Sequence, residues 1–164
     1  MHPSPTRLTH KNIDPHTIDA AALANSFTFP ITVYYEDTDA AGVVYYANYL
    51  KYLERARTAA LKDLGYTHRT LKTLNVVVLV RHVQVAYLRP AALEDTLQVT
   101  SSIIKLRPVG ITFKQDIFNG DVHVLDAVIE MACVSCSGGV AAWPPLVFKT
   151  LQMTFKGDGN GSNQ

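Results

Sequence analysis

The stretch Tyr35-Glu36-Asp37-Thr38-Asp39-Ala40-Ala41-Gly42-Val43-Val44-Tyr45-Tyr46-Ala47-Asn48-Tyr49 joins a strand-like segment to a long helical one through a loop of three acids and a glycine. Ahead of it, residues 28–35 are β-branched and aromatic enough to read as a strand. Behind it, Leu50 to Leu64 run without Pro or Gly. The spacing predicts a helix over 46–64, with Leu50, Leu53, Ala60, Leu61 and Leu64 on one apolar stripe. Gly65 stands where a left-handed stop belongs. Arg57 falls on the same stripe, where a cation is costly unless paired or snorkelling. Glu54, three residues earlier, is the expected partner.

Working outward, residues 67–74 read as a short turn or helix. Strands follow over 76–88, 96–106, 110–118 and 122–135, the middle two alternating apolar and polar residues. Asn119-Gly120 is the strongest hairpin signal and favours a type I′ turn. One strand, one long helix and a strand meander make an α+β pattern, with the helix buried on one face of an antiparallel sheet of about five strands.

The chain has 164 residues, enough for one core, with 48% apolar and 18% charged residues. Its formal net charge of +1 gives no reason to expect nucleic-acid binding. The longest aliphatic run, Val76 to Val80, is too short to span a membrane. Ala22-Leu23-Ala24 looks like a signal-peptidase site, but no apolar segment precedes it, so a cytoplasmic location is expected. The expected division is a flexible extension over 1–26, one domain over 27–156 and a disordered tail over 157–164.

Asp39 is the first candidate for chemistry. A loop aspartate often only supports a turn. Here Gly42 allows a tight path, Val43 and Val44 offer a dry wall, and a helix start supplies unpaired amides. A carboxylate, a dry wall and free N–H groups suit hydrolysis of an activated acyl group. Asp37 and Glu36 are weaker candidates. Asn48 is expected either to orient a water or substrate carbonyl or to bond at the helix start. Arg81, Arg89, Lys105 and Arg107 are candidate phosphate ligands of low weight. Cys133 and Cys136 point to opposite faces of a strand, so they read as two packed thiols rather than a metal pair. The scattered histidines offer no zinc spacing, and Ser135 to Gly139 reads as a turn.

These residues resemble a family. Asp37 to Tyr49, followed by Glu54-Arg55-Ala56-Arg57, is similar to the hotdog-fold acyl-CoA thioesterases of the 4-hydroxybenzoyl-CoA thioesterase type, nearest the bacterial branch encoded with the Tol-Pal envelope system. Val80 to Ala91 resembles that branch's second strand, and the similarity spans residues 28–150. The resemblance implies a long central helix wrapped by an antiparallel sheet, and a homodimer or homotetramer with active sites at subunit interfaces. It implies that Asp39 is the catalytic carboxylate, as nucleophile or as general base, and that the amide near Tyr46 bonds the thioester oxygen. Gly42, Val43, Val44, Tyr45, Asn48 and Arg81 are then the substrate-binding candidates. No cofactor is implied, because coenzyme A is part of the substrate. Many members of the Tol-Pal branch carry His where this chain has Tyr46. Short aliphatic, aromatic and acyl-carrier-protein thioesters stay open as substrates.

Three other readings compete: a hotdog protein that binds acyl-CoA or acyl carrier protein without turnover, a dehydratase, and an interaction module of the envelope machinery. The dehydratase reading lacks a His beside Asp39.

Overall fold

The computed structural model describes residues 26–156; the expected tail, and all but the last residue of the expected N-terminal extension, lie outside the described residues. Strand β1 (Phe27–Thr32) leads through a 3-10 turn (Tyr35–Asp37) into helix α1 (Asn48–Asp63). A short helix α2 (His68–Thr73) precedes strands β2 (Val77–Tyr87), β3 (Thr96–Arg107), β4 (Gly110–Asn119) and β5 (Val122–Val134). Helix α3 (Pro145–Lys156) closes the described chain. The five strands form one antiparallel sheet in the order β1-β3-β4-β5-β2, so β1 and β2 are its edges. This is the α+β arrangement that the helix-then-meander pattern predicts, and it is the hotdog arrangement that the family resemblance implies.

Helix α1 begins at Asn48, two residues later than expected. It ends as Gly65 predicts. That glycine takes φ +88, its N–H donates to Lys62 O, and the Tyr66 N–H donates to Leu61 O. These two bonds are a Schellman motif, which satisfies carbonyls that the last turn would leave unpaired.

The buried stripe of α1 is rotated from the expected one. Tyr49, Tyr52, Leu53, Ala56 and Ala60 are buried, while Leu50 is 41% exposed. The cause is aromatic. Two tyrosine rings packed edge to face, 5.9 Å apart, take the core positions expected of leucines. The Tyr49 hydroxyl accepts from the Ala91 N–H at 3.1 Å, so that ring is buried without an orphaned polar atom. Leu61 and Leu64 pack instead on a second cluster with Leu71, Ile111, Trp143, Val147 and Leu151.

That second cluster contains α3, which the sequence reading passed over. Pro145 occupies its first helical position, where a missing N–H costs nothing, and the Phe148 N–H donates to Pro144 O. Val147 and Leu151, one turn apart, are its buried face. Trp143 anchors the approach: its backbone N–H donates to Pro108 O at 2.8 Å and its indole Nε1 to Gly110 O at 3.4 Å.

The β4–β5 hairpin is present, but its turn differs from the expected type. Asn119 pairs with Val122, so the central residues are Gly120 and Asp121. Of the two, only Gly120 has positive φ (+56), which is the φ pattern of type II′. Cys133 is buried at the end of β5, whereas Cys136 is exposed beyond it, so only one of the two thiols is packed. The strand stops at Val134 and the chain enters the expected turn, closed by Gly138 N–H to Ser135 O.

Candidate active site

Asp37 holds the loop in place. It is 5% exposed, and one carboxylate oxygen accepts from the Tyr34 N–H at 2.9 Å. Its backbone carbonyl accepts from the Tyr45 N–H and from Asn48 Nδ2. The loop is thereby stapled to the first turn of α1. Burial and the Asp37 charge push the Tyr52 phenol well above its ordinary pKa. The buried Tyr52 hydroxyl lies near the Asp37 carboxylate but meets no acceptor in good hydrogen-bond geometry among the described residues.

Two residues on, Asp39 faces outward. Its N–H donates to Val43 O and its carbonyl accepts from the Gly42 N–H, closing a tight turn in which Gly42 takes φ +77. One carboxylate oxygen accepts from the Ala41 N–H at 2.8 Å. The other has no partner among the described residues. Asp39 lines an open hollow of about 480 Å³ with Tyr35, Thr38, Ala40, Gly42 and Leu93. A carboxylate with one oxygen fixed and one free is held in orientation and left reactive.

The helix start lies beside this turn. Among the described residues, the amides of Tyr46 and Ala47 have no hydrogen-bond acceptor, and Ala47 caps α1 without a side-chain bond. Such amides point positive charge at whatever binds there. Tyr45, Tyr46, Tyr87 and Tyr49 form a chain of ring contacts along the helix start. The Tyr87 hydroxyl donates to Tyr46 O at 3.2 Å, which fixes the peptide next to the free amides. The neighbouring Tyr46 phenol first, and more weakly burial and the Asp39 charge, raise the Tyr45 phenol above its ordinary value.

The structure separates the other predicted residues. Gly42 lines the hollow with Asp39, whereas Tyr45 and Tyr46 are not among its lining residues and stand exposed on the segment leading into α1. Val43 is half-buried and bridges to Ala92. Val44 is 4% exposed and belongs to the core. Asn48 is buried with its amide committed to the Asp37 carbonyl, the structural one of its two expected roles. Arg81 sits at a bulge in β2, 3.7 Å from the Glu130 carboxylate, and does not line the hollow.

A second constellation was not foreseen. Arg57 does not form an ion pair with Glu54; its Nη1 donates to Gln115 Oε1 at 2.7 Å. Glu54 instead accepts from the Thr58 hydroxyl at 2.9 Å, and Thr58 Oγ1 lies 3.1 Å from His68 Nε2. Glu54, Arg57, Thr58 and His68 edge a cavity of about 180 Å³ whose other walls are Leu61, Val78, Ile111, Phe113, Met131, Trp143 and Leu151 among others. Only Glu54 and Arg57 carried a signal in sequence; the rest meet through the fold.

On the outer face of the sheet, Asp116, His123 and Asp126 bring ligand atoms within 4.8 Å of one another. Lys114 Nζ lies 2.6 Å and 2.8 Å from the two carboxylates, and His123 Nε2 lies 2.8 Å from Asp116. The ammonium occupies the position between the acids, so this is a charge network rather than an open coordination site.

Residues 33–151, which include the Asp39 loop, α1 and the whole β2–β5 meander, match the model of the Thioesterase-like superfamily. The chain belongs to that superfamily. The Acyl-CoA thioesterase YbgC of Haemophilus influenzae is 39% identical over 113 residues, covering 68% of this chain and 83% of that protein. A probable thioesterase from Bartonella henselae superposes with a TM-score of 0.66 at 30% identity, over 73% of this chain and 98% of that one. A hypothetical protein from Aquifex aeolicus gives a TM-score of 0.73 at 26% identity, over 76% and 98%.

Proposed function

We propose that this protein hydrolyses an acyl-CoA thioester to the free acid and coenzyme A, with Asp39 as the reacting carboxylate. The observation that carries this reading is the turn at the start of α1. It presents one free carboxylate oxygen on the loop that leads into backbone amides that have no acceptor among the described residues. The family membership and the thioesterase relatives support the same chemistry.

Two routes fit the geometry. In the first, Asp39 attacks the thioester carbonyl carbon, the C–S bond breaks, and coenzyme A leaves as the thiolate. Water then cleaves the anhydride and restores Asp39. In the second, Asp39 removes a proton from the attacking water, and the departing thiolate takes up a proton. In either route the Tyr46 amide donates to the developing oxyanion. The thiolate is a good leaving group, so no strong general acid is required.

The site is completed by a second copy of the chain. The β2 edge runs for 11 residues and exposes Leu79, Val80 and Val83. A long apolar edge in a sheet is a template for pairing with another strand. Edge-to-edge dimers, or tetramers built from them, would satisfy it and bring two sites together at the interface. Acyl carrier protein is a further candidate partner. No described helix is long and apolar enough to cross a membrane, and a cytoplasmic place fits a coenzyme A substrate.

The test is a panel of acyl-CoAs assayed with a thiol-reactive dye, wild type against Asp39→Asn. A fall of about 100-fold or more with the fold retained is expected, the scale of a lost acid–base or nucleophilic group. Equal turnover in both proteins sinks the Asp39 assignment. No turnover on any thioester, with acyl-CoA still bound, favours the binding-only reading.

A further inference from the structure

Asp37 is gripped by one face of α1. Asn48 and Tyr52 stand four residues apart in the helix, so their side chains lie one above the other on the same face. Asn48 Nδ2 donates to the Asp37 backbone carbonyl at 3.0 Å. One turn on, the Tyr52 hydroxyl lies near the Asp37 carboxylate. The two contacts differ in quality. The Asn48 bond is made, whereas the Tyr52 hydroxyl meets no acceptor in good geometry among the described residues.

That hydroxyl is costly where it stands, because a buried phenol without a partner gives up its hydration without a replacement. It cannot swing away. Tyr52 is fully buried, and its ring is held edge to face against Tyr49, whose own hydroxyl is fixed on the Ala91 N–H. A better bond therefore forms only if Asp37 moves. Burial and then the Asp37 charge keep the phenol protonated, so it stays a donor at neutral pH.

A movement of Asp37 spreads to the whole site. Its carbonyl also accepts from the Tyr45 N–H, and one of its carboxylate oxygens from the Tyr34 N–H. Asp39 follows two residues later. The amides of Tyr46 and Ala47, which have no acceptor among the described residues, follow Tyr45 directly. A shift of Asp37 toward Tyr52 carries the reacting carboxylate and these amides together. Hydrogen bonds of an active site are often long in the free enzyme and tighten when substrate binds.

We propose that Tyr52 is a positioning residue. When an acyl thioester occupies the Asp39 turn, the Tyr52 hydroxyl donates to the Asp37 carboxylate and fixes the Asp39 carboxylate relative to the amides at the start of α1. The inference rests on the thioesterase reading and adds to it a residue that does not touch the substrate.

Tyr52→Phe removes one oxygen atom and keeps the ring. Tm is expected to be unchanged or raised, because a buried hydroxyl without a partner is gone. On acyl-CoA, kcat is expected to fall about tenfold with KM unchanged, the scale of one hydrogen bond to a charged group made in the transition state. In the Asp37→Ala background, assayed at a temperature where that protein is folded, Tyr52→Phe is expected to cause no further loss, because the acceptor is already absent. A second readout needs no turnover. Asp39→Asn holds the thioester intact, and adding hexanoyl- or benzoyl-CoA to it is expected to slow amide hydrogen exchange across residues 34–48. Tyr52→Phe in the same background is expected to remove that slowing.

An unchanged kcat in Tyr52→Phe overturns the proposal. So does a loss that falls on KM alone, one that tracks a fall in Tm, or one that persists in full in the Asp37→Ala background. Slowed exchange that Tyr52→Phe leaves intact overturns it as well. Tyr52-dependent slowing without hydrolysis of any thioester by the wild type overturns the thioesterase reading instead, and leaves Tyr52 as the anchor of a binding loop. A protein that neither hydrolyses nor binds these thioesters overturns both.

Discussion

Arg57 on α1 and Gln115 on β4 stand 58 residues apart in sequence, and their side chains meet at 2.7 Å. This contact ties the helix to the middle of the sheet. Gln115 is the hub, because its two amide hydrogens reach the Leu53 carbonyl on the helix and the Ser101 hydroxyl on β3. Three elements are registered by one side chain.

Gln115→Leu removes that hub and leaves a half-buried guanidinium, a helix carbonyl and a hydroxyl without it. Each such group costs about 1–3 kcal/mol when its partner is lost. The expected destabilisation is about 3 kcal/mol, read from the midpoint of urea unfolding at constant m. Adding Arg57→Met to Gln115→Leu is expected to restore part of it, because the stranded charge is then gone. A neutral Gln115→Leu variant contradicts the hub.

Asp37 makes the structural contacts of the loop and Asp39 carries the proposed chemistry, and alanine at each position separates them. Asp37→Ala frees the Tyr34 N–H inside the loop and is expected to cost about 1–3 kcal/mol. Asp39→Ala loses only an exposed bond to Ala41, so Tm is expected to move by no more than a degree or two. Turnover follows the opposite order, with the larger loss at Asp39. A Tm collapse in Asp39→Ala with a silent Asp37→Ala reverses the two roles.

How much of this was legible depends on how local each feature is. The Asp39 turn, the Gly65 stop and the β4–β5 hairpin rest on residues within a few positions of one another, and each was readable. The stripe of α1 was mis-phased because leucine was weighed above tyrosine, whereas Tyr49 and Tyr52 form the core contact. Helix α3 was missed because Trp143-Pro144-Pro145 looks like a breaker, and of its described side chains only Val147 and Leu151 are buried. The cavity was invisible for a different reason. Its walls come from positions 54, 78, 111, 131, 143 and 151, which no sequence period connects.

Alkaline pH is expected to unfold the protein through groups whose proton is held by burial. Burial raises the Tyr49 phenol and, together with the Asp37 charge, the Tyr52 phenol, and pushes the Cys133 thiol up to about 12. In each case the folded state keeps a proton that the unfolded state releases. Their stabilising effect is therefore intact below the unfolded values of 9.0 for Cys and 10.0 for Tyr. It is lost as pH rises through the folded values. Urea midpoints are expected to be flat with respect to these groups below about pH 8.5 and to fall steadily above it. At pH 8 a thiol alkylating reagent is expected to label Cys136 and spare Cys133. Labelling of both in the native protein rules out the buried, proton-holding Cys133.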